Sequence, residues 1–366
     1  MTTLARSETM VACQPAAAEL VPITAVPYQR DGGFLFDSPM EYDTPTHLVP
    51  GLGKITLQHS RLVQLANDAA PRLRRTLDVQ LDCVTHSTRI TEPEAEYRAR
   101  TQPLDTIVML HGYTEMIDAG TGKNLHDALA PHFPDQRLIS IATDGVGRYC
   151  QRVGWKEGLS KDFTKMAIDR HRLVNVLKGS GRITLLDVSM GSVIGIELLA
   201  YNTQLKTGQL SEQATDPWLD IAAVIHHSSA QVPPGRVIPD MVMRFLPHIY
   251  RDTRRVSTTM SRPAQGIVQT AIAYPRSLPA LAGNLVQLLR GTNPEKVLAT
   301  ALAYPTGYIS GQHDPLAQND DRLRMAQRHP GQVITYVKPG AGHADCLDAQ
   351  AAANDIANMH QLLATL

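Results

Sequence analysis

The feature that most constrains this chain is a series of short, continuous apolar runs, separated by stretches long enough to hold a helix. They lie at residues 106–110, 137–142, 183–186, 221–225, 306–309 and 332–337. A run with no polar alternate positions must be buried on both faces if it is a strand. Strands of that kind belong to a parallel sheet covered by helices. Helical patterns lie between them. Phe163, Met166, Ala167, Val174 and Leu177 share one face, which Arg170 interrupts. Val193, Ile194, Ile196, Leu198 and Leu199 make a mostly apolar helix, and residues 351–366 carry Ile356, Met359, Leu362 and Leu363 on one side. The alternation predicts an α/β fold with a mainly parallel sheet flanked by helices.

Two segments depart from the alternation. Before residue 76 prolines recur at 15, 22, 27, 39, 45 and 50, with a turn at Gly32-Gly33. Residues 1–75 therefore read as a partly irregular N-terminal extension, tied down near Phe34, Leu35 and Phe36. The core opens at residues 77–83, which alternate apolar and polar as a half-buried strand does. Residues 231–302 hold many prolines and short helical patterns, at 241–250 and 278–289, with no strand. They read as a helical cap inserted late in the sheet. The expected organisation is an extension at 1–75, a first core part at 76–230, the cap at 231–302 and a second core part at 303–366.

Composition narrows the function classes. Thirty-five basic and 35 acidic residues balance, and aromatic residues are 5%, so neither a phosphate-binding field nor base-stacking surfaces are expected. The cap differs, with nine Arg or Lys against three Asp or Glu. The four cysteines (Cys13, Cys83, Cys150 and Cys346) form no CxxC pair, which points to reduced thiols rather than a metal or redox site. No signal peptide or transmembrane run is read, so a cytoplasmic location is the default. No metal and no cofactor are expected, and homo-oligomerisation is left open.

Four motifs carry chemistry, each just after an expected strand. The strongest is Asp187-Val188-Ser189-Met190-Gly191, where a strand runs into a serine and a helix begins. Such a turn lifts the serine Oγ above the sheet edge. Gly191 permits the tight turn, and the Met190 backbone N–H lies at the helix start, where unpaired donors favour an oxyanion. The common pattern is Gly-x-Ser-x-Gly, and Asp187 stands where its first glycine would be. A plainer reading makes Ser189 a helix cap. Next, His111-Gly112-Tyr113 ends the run at 106–110, and the Tyr113 N–H is the expected second oxyanion donor. His111 and Gly112 would then border the substrate. Asp314, three residues after Gly311, places a carboxylate at a strand end. Finally, His343 sits in the small-residue loop Gly340-Ala341-Gly342. Alone, the last two read equally as a turn aspartate and a solvated loop histidine.

Their order decides the matter: Ser189, then Asp314, then His343 is the Ser…Asp…His order of one hydrolase class. On these motifs, and on Asp144-Gly145-Val146-Gly147, the chain resembles the α/β-hydrolase superfamily over residues 76–230 and 302–366. The resemblance implies Ser189 as nucleophile, His343 as general base, Asp314 as its orienting acid, and a helical cap at 231–302. His226 and His227 could line the pocket, although packing roles fit them better. Asp345 and Asp348 lie too near His343 in sequence to serve as its acid. Cys346 sits on no strand-to-helix turn, and Glu115 could order the loop or bind substrate. Cap residues Met241 and Phe245 are candidates for contact with an apolar acyl group. The expected reaction is cleavage of a carboxylic ester or thioester through an acyl-enzyme. The alternatives are acyl transfer in a biosynthetic pathway, carbon–carbon hydrolysis, or a non-catalytic binding protein on the same fold.

Overall fold

The computed structural model describes residues 46–49, 53–65, 72–81, 84–93, 104–112, 117, 120–143, 155–159, 162–178, 181–210, 216–236, 278–343 and 348–366. Among the described residues ten strands form one sheet: β1 (Thr46–Val49), β2 (Gly53–Leu65), β3 (Arg72–Leu81), β4 (Val84–Pro93), β5 (Thr106–Leu110), β6 (Arg137–Ile141), β7 (Ile183–Val188), β8 (Ile221–His227), β9 (Thr306–Gly311) and β10 (Val333–Lys338). Their spatial order is β1-β2-β3-β4-β6-β5-β7-β8-β9-β10. From β6 to β10 every neighbouring pair is parallel. The strands β1 to β4 form an antiparallel meander that joins the parallel half through β4 and β6.

Each of the six apolar runs lies in one of the six parallel strands. Both faces of β5 to β9 are covered, as the runs require, while β10 at the sheet edge exposes Tyr336. On one face Val108, Leu110, Ile139 and Leu185 pack with Phe163, Met166 and Val174 of α3 (Phe163–Leu177) and Val193 and Leu198 of α4 (Gly191–Thr207). On the other face the alternate residues Ile107, Met109, Leu186 and Val188 meet Leu125 and Leu129 of α1 (Gly120–Leu129) and Ile356 and Met359 of α8 (Ala349–Leu363). Burying a side chain of this size contributes about 1.5–3 kcal/mol, so the two faces supply most of the drive to fold. Arg170, which breaks the apolar face of α3, is itself buried. It donates to the Ala142 carbonyl at 2.7 Å, which satisfies part of the guanidinium at the end of β6.

The sheet extends further toward the N-terminus than the sequence suggests. β1 and β2 lie inside residues 1–75, and β3 begins at Arg72 rather than beyond 75. β4 is also absent from the apolar reading, because its buried positions include Thr88, Arg89, Thr91 and Glu92. Ion pairs permit this: Arg89 meets Asp127 at 2.7 Å and Arg137 meets Glu92 at 2.7 Å. Paired charges keep their burial affordable while erasing the hydrophobic pattern.

Within 231–302, the described residues from 278 on carry two helices, α5 (Leu278–Leu289) and α6 (Pro294–Ala303), and residues 231–236 are loop and turn. α6 is held against α4 by Lys296, whose ammonium lies 2.7 Å from Glu197. α5 crosses the short helix α2 (Trp155–Leu159) at two glycines. A Cβ on Gly283 would lie 1.7 Å from the Gly158 carbonyl oxygen. The expected helix at 241–250, the turn at Asp144–Gly147 and all four cysteines lie outside the described residues. Among the described residues no helix is long and apolar enough to cross a membrane.

Candidate active site

The C-terminal ends of β5, β7, β9 and β10 lie at one edge of the sheet, and each motif emerges there. After β7 the chain turns sharply at Ser189, whose φ is +51°, a left-handed value rare for a serine. Such a conformation costs about 1–3 kcal/mol and persists only where surroundings enforce it. Here the Ser189 N–H donates to the His227 carbonyl at 2.9 Å. The Ser189 carbonyl accepts from Ser192 N at 3.1 Å, Ser192 Oγ at 2.6 Å and Ala230 N at 3.2 Å. Ser192 Oγ in turn accepts from Ala230 N at 3.1 Å. The elbow is thus clamped to the chain that follows β8.

The helix start crowds the loop after β5. A Cβ on Gly191 would come within 2.3 Å of the Leu110 carbonyl oxygen and 2.9 Å of that of His111. Only glycine allows this approach. The same loop is held from its other side by Thr143 Oγ1, which donates to the Gly112 carbonyl at 2.9 Å. His111 and Gly112 are both buried. No described residue accepts from the Met190 N–H, which stands at the cap of α4. Tyr113, Glu115, Met241 and Phe245 lie outside the described residues.

Three side chains converge on the turn. Ser189 Oγ lies 2.9 Å from His343 Nε2, and His343 Nδ1 lies 2.8 Å from Asp314 Oδ2. Asp314 is held by its own turn after β9, its Oδ1 accepting from Leu316 N at 2.9 Å. With a carboxylate on Nδ1, that nitrogen carries the proton, and Nε2 is left as an acceptor facing Ser189. Asp314 and His343 are buried and Ser189 is half-buried. Of the rival acids, Asp348 instead caps α8, accepting from Ala351 N at 3.1 Å. Asp345 and Cys346 lie outside the described residues.

Asp187 proves to have a specific partner. Its carboxylate is fully buried, with both oxygens 2.8 Å from His226 Nδ1 on the neighbouring strand. The room comes from Gly195, one helical turn past the elbow: a Cβ there would lie 2.3 Å from Asp187 Oδ2. Burial pushes the Asp187 carboxyl above its usual range, opposed by the nearby His226 and Arg322. His226 therefore packs inside the sheet layer, its ring stacked on Tyr308 with centroids 4.8 Å apart. Gly195 and Ser192 were not singled out from the sequence. The only available sign was the pairing of a small residue with an acid where an elbow glycine would stand. Among the described residues no group of His, Cys, Asp or Glu could hold a metal ion.

No family model matches the chain, and no curated protein matches it. Solved structures do match. A putative lipase from Acinetobacter baumannii AYE superposes with a TM-score of 0.54 at 12% identity, covering 80% of this chain and 92% of its own. A carboxylesterase of the thaumarchaeon Nitrososphaera gargenis gives 0.53 at 12% identity, covering 82% and 99%. A thermophilic esterase from Thermogutta terrifontis gives 0.51 at 17% identity, covering 84% and 99%. The chain has the α/β-hydrolase fold. It spans nearly the full length of each of these domains and adds sequence beyond them.

Proposed function

We propose that this protein is a serine hydrolase that cleaves a carboxylic ester, or thioester, through an acyl-enzyme intermediate. The observation that carries the reading is the unbroken line Ser189–His343–Asp314, with successive contacts of 2.9 and 2.8 Å at the carboxyl edge of the sheet. Esterase and lipase neighbours on the same fold add weight.

The chemistry follows from that line. As Ser189 Oγ attacks the acyl carbonyl, its proton passes to His343 Nε2. Asp314 holds the imidazole in place and stabilises the imidazolium that forms. The Met190 N–H donates to the developing oxyanion, and the Tyr113 N–H is the proposed second donor. His343 then delivers its proton to the leaving alcohol or thiol. Water, deprotonated by His343, attacks the acyl-enzyme and releases the acid. Met241 and Phe245 are the proposed contacts for an apolar portion of the substrate.

The test is a panel of nitrophenyl esters of increasing chain length, assayed with wild type, Ser189→Ala and His343→Ala. Each variant should lose about 10⁴–10⁶ in kcat, the scale seen when a triad member is removed. A fluorophosphonate should label wild type at Ser189 and leave Ser189→Ala unlabelled. Hydrolysis at the wild-type rate by either variant would overturn the reading.

A further inference from the structure

Beneath the triad lies a second, wholly buried polar line. It crosses the sheet through residues paired in register: Asp187 on β7 opposite His226 on β8, and His226 opposite Tyr308 on β9. It continues to Arg322 on α7 (Asn319–Arg328), whose guanidinium sits 4.4 Å from the centre of the Tyr308 ring. Arg322 also donates to Gln231 Oε1, and Gln231 Nε2 lies 3.3 Å from His226 Nδ1. Arg322 is 5% exposed, and no described carboxylate lies within ion-pair distance of it. Asp187 is the acid that belongs to this line. A buried cation and a buried acid, separated by an imidazole and a phenol ring, balance each other in a low-dielectric layer.

Asp187 and His226 adjoin the Ser189 turn, and Tyr308 and Arg322 lie on or against the strand that leads to Asp314. Asp187 is two residues before Ser189. His226 precedes His227, whose carbonyl accepts from Ser189 N at 2.9 Å. Tyr308 precedes Ile309, whose carbonyl accepts from Ser228 N at 2.7 Å. α7 is docked on the strand that leads to Asp314, because Asn319 Nδ2 donates to the Gly311 carbonyl at 2.8 Å and Asn319 Oδ1 accepts from Ser310 Oγ at 2.6 Å.

We propose that Asp187, His226 and Arg322 are positioning residues, which hold the serine elbow and the Asp314 turn at a fixed separation through one continuous buried line. This rests on Ser189, His343 and Asp314 being the catalytic triad. Asp187 thereby replaces a glycine whose role is only to yield space with a side chain that ties β7 to β8, β9 and α7. The substitution is tolerated because Gly195 vacates the volume that the carboxylate fills.

The test measures kcat and KM per active site, with sites counted by fluorophosphonate titration, for wild type, Asp187→Asn, Arg322→Gln and the double variant. Counting sites removes any loss due to misfolded protein. Each single variant should lower kcat by about 10- to 100-fold, the cost of a small misplacement of reacting groups, with KM within about twofold. The double variant should be no worse than the weaker single, since both cut the same line. If Asp187→Asn fails to fold, Arg322→Gln carries the test alone. Wild-type kcat per titrated site in the single variants would overturn the role, as would losses that multiply in the double. A wild type that neither hydrolyses esters nor takes up the probe would instead overturn the hydrolase reading, and the positioning role with it.

Discussion

Ser189 shows how a single strained residue is maintained. Its φ of +51° would relax if the elbow were free, yet four hydrogen bonds to its own N–H and carbonyl fix it. The neighbouring Asp187 carboxylate occupies space left open at Gly195, and that fit is testable. Gly195→Ala puts a methyl 2.3 Å from Asp187 Oδ2 and should cost about 1–3 kcal/mol, the scale of an overpacked core. In an Asp187→Gly background the same Gly195→Ala change should cost much less, read as the shift in urea midpoint against Asp187→Gly alone. An equal shift for Gly195→Ala in both backgrounds would disprove the steric account. Sequence could single out Ser189, Asp314 and His343, which the structure brings into contact, because each follows an apolar run. It could not supply the Asp187–His226 pair, because strand register is not written in either strand alone.

At the level of elements, the parallel strands were legible and the antiparallel edge was not. β5 to β9 are buried on both faces, and continuous apolar runs record that directly, whereas β10 is the edge strand and exposes Tyr336. β4 buries Arg89 and Glu92 with partners drawn from α1 and β6, so its burial depends on residues distant in sequence. β1 and β2 lie in a proline-bearing stretch that masks their pairing. The helices of 278–303 divide between two tasks, which composition alone cannot separate. α6 packs on α4, whereas α5 rests on α2 through Gly158 and Gly283. A Cβ on Gly158 would also meet the Pro279 carbonyl oxygen at 2.3 Å, so neither glycine can change without parting the helices. Gly283→Ala should lower the melting temperature by a few degrees, for about 1–3 kcal/mol of overpacking, while Ser189 labelling persists. Calorimetry beside probe labelling checks both, and an unchanged melting temperature would contradict the close crossing.

For the whole molecule, buried histidines set the response to acid. Burial drives the His171 imidazole down to about 4 from its ordinary 6.5, with the hydrogen bond to Asn202 opposing it. Its Nε2 lies 3.0 Å from Asn202 Oδ1. Burial likewise holds His126 well below its ordinary value, between Thr91 Oγ1 at 2.8 Å and Ser140 Oγ at 2.6 Å. Above pH 6.5 these groups are neutral in both states and have no effect on the balance. As pH falls from 6.5 toward about 4, the unfolded chain gains protons that the folded chain refuses, so stability declines through that window. Asp127 has the opposite character. Although burial opposes it, Arg89 and its other cationic neighbours hold its carboxyl at about 2, so its contribution is lost only below pH 3.8. Urea midpoints measured against pH should therefore fall between pH 6.5 and 4, and His171→Gln should fall less steeply. An identical slope in the variant would refute the assignment.

The spacing of the triad along the chain has a consequence for the birth of the protein. Ser189 and His343 touch across 154 residues of sequence, and β8, β9 and β10 all lie between them. A ribosome therefore releases the serine long before the histidine. On the mechanism proposed above, the serine hydroxyl has no proton acceptor through that interval, because His343 follows β10, the last strand of the sheet. Under that proposal the order of the residues acts as a built-in delay, arming Ser189 only after the sheet is complete.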